Sequence, residues 1–196
     1  TIVGDLIVEG TDANGYGIGK LSVSNGDVGS STEPGFLDVT QGPVSSIVVS
    51  NGTLWHDLWV GEFIGRLSIR NGNVYGNIQV DGANGQGYAI SSFTVNGGSI
   101  GEAPGDTTVE LLMGGIGRLN VLNGAVRSDF IIMGNLNRMS VRNGDVTGYF
   151  DIEGAVGSVD ISNGSIWGNL IAEEMYRQDV DKGWGDFGRY YYLWNR

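Results

Sequence analysis

Two groups of acid and base side chains in this 196-residue chain could take part in catalysis. The only histidine, His56, is followed by Asp57, but no serine or cysteine pattern accompanies it, and neighbouring residues of a strand point to opposite faces. No catalytic triad is therefore predicted. Asp151 and Glu153 share one strand face and could resemble the acid pair of a glycosidase, although ordinary strand alternation gives the same spacing. We predict no catalytic residue, and an enzymatic activity is the less favoured interpretation.

A third group consists of basic side chains that fall at outward positions of one recurring strand. Asp160 is the only acid predicted on the same sheet, whereas almost all other acids fall on the remaining sides and loops. Such a stripe could bind an acidic polysaccharide, dock against the acidic side of a neighbouring molecule, or be solvated charge that keeps a sheet from sticking. Nucleic acid is not expected, because a net charge of −11 opposes its approach. The candidate binding residues are Lys20, Arg66, Arg70, Arg118, Arg138 and Arg142.

Composition limits the other kinds of site. The chain has no cysteine, which excludes disulfides and thiolate metal sites, and it lacks the calcium-binding nonapeptide Gly-Gly-x-Gly-x-Asp. Neither a metal nor a cofactor is therefore predicted. No stretch approaches 18 apolar residues, so no membrane span is predicted. The chain begins with Thr1 and shows no basic-then-apolar leader, and we expect it to be a processed product or an excised piece.

The elements that must position these side chains are repeats marked by an Asn-Gly pair. The pattern apolar-x-x-apolar-x-apolar-x-Asn-Gly-x-apolar occurs seven times, with Gly97-Gly98 replacing one pair. Asparagine and glycine tolerate positive φ, so each pair can turn the chain. Apolar residues two apart in sequence indicate strands. The repeats begin, at spacings of 26, 20, 26, 26, 20 and 20 residues, with Ile18, Val44, Ile64, Ile90, Ile116, Leu136 and Val156.

Stacking of these repeats predicts the fold class. No repeat can bury its apolar side alone, but coils about 4.8 Å apart pair every backbone edge with the coil above and below. We therefore predict an all-β protein, a single-stranded parallel β-helix of about eight coils. The general chirality of parallel crossovers favours a right-handed helix.

Six-residue insertions distinguish the long coils from the short ones. Loops near residues 11–17 and 83–89 leave one corner, and loops near 30–35 and 102–107 leave another. The whole pattern repeats after 72 residues, which indicates a duplicated three-coil unit. Matching loops should therefore lie about 14 Å apart along the axis.

The two ends of the chain indicate two segments with different roles. We assign residues 1–174 to the β-helix and residues 175–196 to an aromatic C-terminal cap or assembly segment. Residues 1–9 match 165–173, and 187–193 read like the first strand at 116–122. The aromatic tail either caps the solenoid or mediates head-to-tail stacking of subunits. The residues assigned to this cap or interface are Trp184, Phe187, Tyr190, Tyr192 and Trp194.

The segment Ile64–Gly82 resembles the glycine-rich β-helical repeats of bacterial cell-surface and adhesin-type proteins, and it is similar to the polymer-forming bactofilins. The resemblance implies a non-enzymatic structural module, a rigid rod that assembles with itself head-to-tail or laterally. It implies an extracellular or cell-surface location, with a cytoplasmic filament as the alternative. Pectate-lyase-like and tailspike β-helices look similar in architecture, so an acidic-polysaccharide-binding or polysaccharide-degrading protein is the alternative function.

Overall fold

The computed structural model of the chain describes residues 4–102, 106–175, 178–180 and 191–193. These residues form strands joined by corners and loops, and every pairing between the strands is parallel. The strands are β1 (Leu6–Val8), β2 (Ile18–Ser24), β3 (Asp27–Val28), β4 (Phe36–Val39), β5 (Val44–Ser50), β6 (Thr53–Leu54), β7 (Asp57–Val60), β8 (Ile64–Arg70), β9 (Asn73–Val74), β10 (Ile78–Val80), β11 (Tyr88–Asn96), β12 (Ser99–Ile100), β13 (Thr107–Leu111), β14 (Gly115–Leu122), β15 (Ala125–Val126), β16 (Ser128–Ile132), β17 (Leu136–Arg142), β18 (Asp145–Ser162), β19 (Ser165–Met175), β20 (Gln178–Val180) and β21 (Tyr191–Leu193).

The strands stack as the three faces of a parallel β-helix, which confirms the predicted fold class. Face 1 contains β2, β5, β8, β11, β14, β17, the end of β18, and β20. Face 2 contains β3, β6, β9, β12, β15 and the starts of β18 and β19. Face 3 contains β1, β4, β7, β10, β13, β16, the middle parts of β18 and β19, and β21.

The core consists of apolar columns that run along the axis of the helix. In one column of face 1, Leu67 pairs with Phe93, Phe93 with Leu119, and Leu119 with Met139. All four side chains are fully buried. Because equivalent residues of successive coils lie directly over one another, each strand that was predicted from its apolar spacing contributes to the same continuous interior.

The corner between faces 1 and 2 is made by the Asn-Gly pairs. In six of the seven corners the asparagine has the positive φ, between 49° and 54°, and at the seventh Gly97 has it at 71°. Stacked asparagine side chains hydrogen-bond along the axis: Asn51 Nδ2 donates to Asn25 Oδ1 and Asn143 Nδ2 donates to Asn123 Oδ1, both over 3.3 Å.

The C-terminal strand differs from its prediction. The alignment of 187–193 with 116–122 placed the aromatic tail on face 1, but β21 pairs with β19 on face 3, where Tyr192 is in register with Ile171. The short strand β20 extends face 1 instead, by pairing with β18. The alignment failed because alternating aromatic residues suit any face of the coil. Four of the predicted cap residues lie outside the described residues: Trp184, Phe187, Tyr190 and Trp194.

Candidate functional site

The six predicted basic residues all lie exposed on the outer side of face 1. Arg66 and Arg118 lie in one column, two coils apart, because both pair with Ser92 of the coil between them. Arg138 forms an ion pair with Asp160 over 2.7 Å, and it is the only salt bridge among the described residues. The structure therefore brings together a basic stripe in which most cations face solvent.

His56 has a structural role, because both nitrogens of its ring hydrogen-bond to backbone groups. Its ring is fully buried. The Gly35 N–H donates to Nδ1 over 3.2 Å, so Nε2 carries the proton and donates to the Gly4 carbonyl over 2.8 Å. The neighbouring Asp57 points to the other side, as predicted, and accepts a hydrogen bond from the Asn77 N–H over 2.7 Å. His56 thus links three successive coils on face 3.

A cleft that the sequence did not predict lies beside His56. It has a volume of about 290 Å³ and is lined mainly by Trp55, Tyr75, Asp57, Glu102, Asp106 and Ser31. The two aromatic rings are 4.6 Å apart between centroids and inclined by 50°. We call it the Trp55–Tyr75 cleft. Volumes near 300 Å³ are at the lower end of the range for small-molecule sites.

The sequence did carry a signal for the Trp55–Tyr75 cleft. The column that follows the apolar column of face 2 contains Gly29, Trp55, Tyr75 and Gly101 in successive coils. Gly29 and Gly101 have positive φ, 77° and 74°, and in the sequence each directly precedes one of the two six-residue insertions at 30–35 and 102–107. Two loops with two aromatic residues between them could have been found by aligning the residues just beyond each repeat.

At the N-terminal end of the described residues the interior of the solenoid is uncovered, and we call this the open end. The inward-facing side chains of the first coil are partly exposed, among them Leu6, Ile18, Leu21 and Val28, whereas their equivalents in the next coil are almost fully buried. Strands β1, β2 and β3 each pair with a strand on one side only among the described residues. An unpaired strand edge is a template for another strand.

The remaining candidate groups do not form a site. Asp151 and Glu153 lie on the outer side of β18, separated by the buried Ile152, as strand alternation requires. Within the part of the chain that the structure describes, no group of three or more histidine, aspartate or glutamate side chains is placed to hold a metal ion. No helix among those residues is long and apolar enough to cross a membrane.

Asp38, on the outer side of β4, makes the stability of the fold depend on pH. Its side chain lies in β4 between Ile7 and Trp59 of the neighbouring coils, and its Oδ1 is buried with no hydrogen-bond partner. Burial raises the pKa of the Asp38 carboxyl above its ordinary value, and the nearby Glu9 carboxylate raises it further. The folded state therefore holds this proton more tightly than the unfolded state, so the contribution to stability is complete at low pH and is lost as the pH rises through the folded pKa.

We expect Asp38→Asn to raise the melting temperature at pH 7 and to have no such effect near pH 3, where the wild-type carboxyl is itself protonated. The gain should not exceed about 1 kcal/mol, because water screens a partly exposed carboxylate. Thermal unfolding followed by circular dichroism at both pH values measures it. Asp151→Asn removes the same charge from the same face and is the control. An equal gain for Asp38→Asn at both pH values would contradict the assignment.

Comparison with known proteins gave no relatives: no protein-family model matches the chain, and neither a curated protein nor a solved structure matches it.

Proposed function

We propose that this chain is a structural rod subunit that lengthens by stacking its first coil on the C-terminal coils of another copy. The observation that carries the proposal is Gly26, in the corner of the first coil. Each of the seven described Asn-Gly or Gly-Gly corners has a glycine at this position, and a side chain at each of the later six would meet the coil before it. Gly26 has no coil before it within the described chain.

The geometry of the glycine column is specific. A Cβ on Gly52, Gly72, Gly98, Gly124, Gly144 or Gly164 would lie less than 3.0 Å from the carbonyl oxygen of the preceding glycine, closer than real Cβ atoms approach. A Cβ on Gly26 would meet only its own coil, at 4.0 Å. The φ of Gly26 is not among the positive values, so the backbone does not require glycine there either. A glycine at this position becomes necessary when another coil stacks on the end.

The open interior supports the same interaction. Stacking a coil on the first one would bury Leu6, Ile18 and Leu21 as Leu37, Val44 and Ile47 are buried one coil later. The partner strands would be β20 and β21 of the second copy, the last described strands of faces 1 and 3. Such a contact is heterologous and does not close, so it produces a filament. With about eight coils a subunit adds about 40 Å of length.

The test compares two glycine-to-alanine substitutions in the same column. Gly26→Ala should keep the wild-type melting temperature at low concentration and should stay monomeric when the wild type assembles. Gly52→Ala should lower the melting temperature of the monomer, because its Cβ meets the carbonyl of Gly26. Analytical ultracentrifugation and electron microscopy follow assembly. Filaments of Gly26→Ala as long as those of the wild type, or a wild type that remains monomeric at high concentration, would refute the proposal.

The basic stripe favours a second candidate function, the binding of an acidic polysaccharide along face 1. The supporting observation is that Arg66 and Arg118 stand in one column without an ion-pair partner among the described residues. Polygalacturonate binding that disappears in the Arg66→Ser, Arg118→Ser double variant and weakens with salt would support it. Serine is chosen as the replacement because this column already contains serine at Ser46 and Ser92.

A further inference from the structure

We propose that the Trp55–Tyr75 cleft binds a pyranose ring of a saccharide that carries no acid group. This inference goes beyond the rod function and does not depend on it, because the cleft lies on a lateral corner rather than at an end. It rests on the aromatic floor, on the loop residues that bound the floor, and on the absence of a basic side chain from the lining.

The floor of the cleft consists of two tilted rings. Trp55 and Tyr75 lie at the same position of consecutive coils, and their backbone N–H groups donate to Val28 and Leu54 over 2.9 Å, so both residues are held in the ladder. Both side chains are half-buried. Aromatic side chains offer a large apolar surface at fixed orientation. The C–H face of a pyranose is the apolar surface that such a floor fits, with the hydroxyl groups of the sugar directed to the rim.

The rim of the cleft is rich in hydrogen-bond acceptors. Asp57 Oδ1 accepts a hydrogen bond from the Asn77 N–H, which leaves Oδ2 to accept one from a ligand. Glu102 and Asp106 are exposed. Ionised carboxylates only accept hydrogen bonds, so they fit the hydroxyl donors of a sugar. Among the residues that the structure describes, no lysine or arginine lines the cleft. An acidic saccharide would therefore meet like charge here, unlike on the basic stripe of face 1.

The walls of the cleft come from the 72-residue duplication. The coils that contain Gly29 and Gly101 are three steps apart, about 14 Å, and the two coils between them hold the aromatic residues. On the first wall, the Ser30 and Glu33 backbones exchange hydrogen bonds of 3.3 Å. On the second, Thr107 Oγ1 donates to the Tyr75 carbonyl over 3.2 Å. The space between the two walls is therefore two coils high.

The second three-coil unit lacks this arrangement and supplies a control. At the positions equivalent to Trp55 and Tyr75 it carries Arg127 and Thr147, and the next coil carries Trp167, which is 49% exposed. Trp167 occupies the same column but lies outside the walls of the cleft. A saccharide that merely stacks on any exposed tryptophan would respond to Trp167, whereas one bound in the cleft would not.

The experiment titrates the full chain with three tetrasaccharides, cellotetraose, fully deacetylated chitotetraose and tetragalacturonate, by isothermal calorimetry. We expect binding of cellotetraose, of chitotetraose, or of both, and no competition from tetragalacturonate. Trp55→Ala and Tyr75→Ala should each weaken binding by roughly tenfold or more, a loss of about 1.4 kcal/mol. Trp167→Ala should bind like the wild type. Tighter binding of chitotetraose that is lost in Glu102→Gln would identify the amino group as the preferred feature.

Two variants keep the result interpretable. Trp55→Phe retains an aromatic floor and should keep most of the affinity, so a loss in Trp55→Ala but not in Trp55→Phe reports the ring. Melting curves of each variant verify that the coil is intact. The proposal is overturned if neither non-acidic tetrasaccharide binds at about 10 mM, above the millimolar affinity that corresponds to about −4 kcal/mol. It is equally overturned if Trp55→Ala binds as well as the wild type, or if tetragalacturonate competes with the non-acidic tetrasaccharides for the cleft.

Discussion

Replacing Phe130 with alanine should lower the free energy of unfolding by about 3–5 kcal/mol, because the ring is fully buried and its removal leaves a cavity in the middle of the rod. Phe130 stacks on Phe150 of the next coil, with 4.4 Å between ring centroids and 6° between planes. It also contacts Phe93, which belongs to face 1, at 6.1 Å. One side chain therefore joins three successive coils and two faces, and few replacements elsewhere would remove as much packing.

Thermal or urea unfolding followed by circular dichroism measures this loss, which corresponds to a fall of roughly 10 °C in melting temperature. Phe36→Ala is the matched control, since Phe36 lies on face 3 as well but is 58% exposed. Its removal should change stability by less than about 1 kcal/mol. Similar losses for the two phenylalanines would show that the interior columns do not carry the stability of the rod.

The interior columns of face 1 follow from the sequence because the coils repeat. Once one repeat is recognised as a strand pair, the period of two assigns every alternate residue to the interior, and the spacing between Asn-Gly pairs places it in a column. The same period requires Leu67, Leu119 and Met139 to share one interior column, and the structure has them there. The fold was predictable since every coil makes the same contacts as its neighbour.

The role of the corner glycines was less accessible. The sequence suggested that either residue of an Asn-Gly pair could take positive φ, but asparagine alone takes it in six corners. The glycine is needed for clearance, as Gly52 shows, because its Cβ would meet the carbonyl of Gly26 one coil away. This clearance depends on how closely two stacked coils approach each other, so the sequence pattern of a single coil does not predict it.

The candidate sites show the same limit in another form. The basic stripe was predictable because Arg66, Arg118 and Arg138 fall on the regular strand whose period is known. The Trp55–Tyr75 cleft was not predicted, because Trp55 and Tyr75 stand past the end of the repeated pattern and the cleft needs loops from two other coils. Side chains at the edge of a repeat acquire neighbours only when the coils are assembled.

His56 connects its own coil to the two coils before it, next to both the open end and the Trp55–Tyr75 cleft. We therefore expect His56→Ala to detach the first coil. The substitution leaves the buried Gly35 N–H without an acceptor and the Gly4 carbonyl without a donor, and it opens a cavity where the ring was. The unsatisfied buried Gly35 N–H costs about 1–3 kcal/mol, whereas water can reach the carbonyl of the exposed Gly4. We expect a loss of about 3 kcal/mol that is confined to the N-terminal coils, since each coil of a solenoid contacts only its neighbours.

Hydrogen exchange can detect this local loss. The amides of β1 and β4 in His56→Ala should exchange roughly a hundredfold faster than in the wild type, while those of β14 and β17 keep their protection. Because Gly35 ends the first wall of the Trp55–Tyr75 cleft, saccharide binding should weaken in the same variant. Ser128→Ala is the control at the equivalent position of the second unit: the Ser128 hydroxyl is buried without a partner, so its removal should not destabilise the rod. Unchanged exchange of β1 and β4 in His56→Ala would show that the ring fills space without fastening the coils.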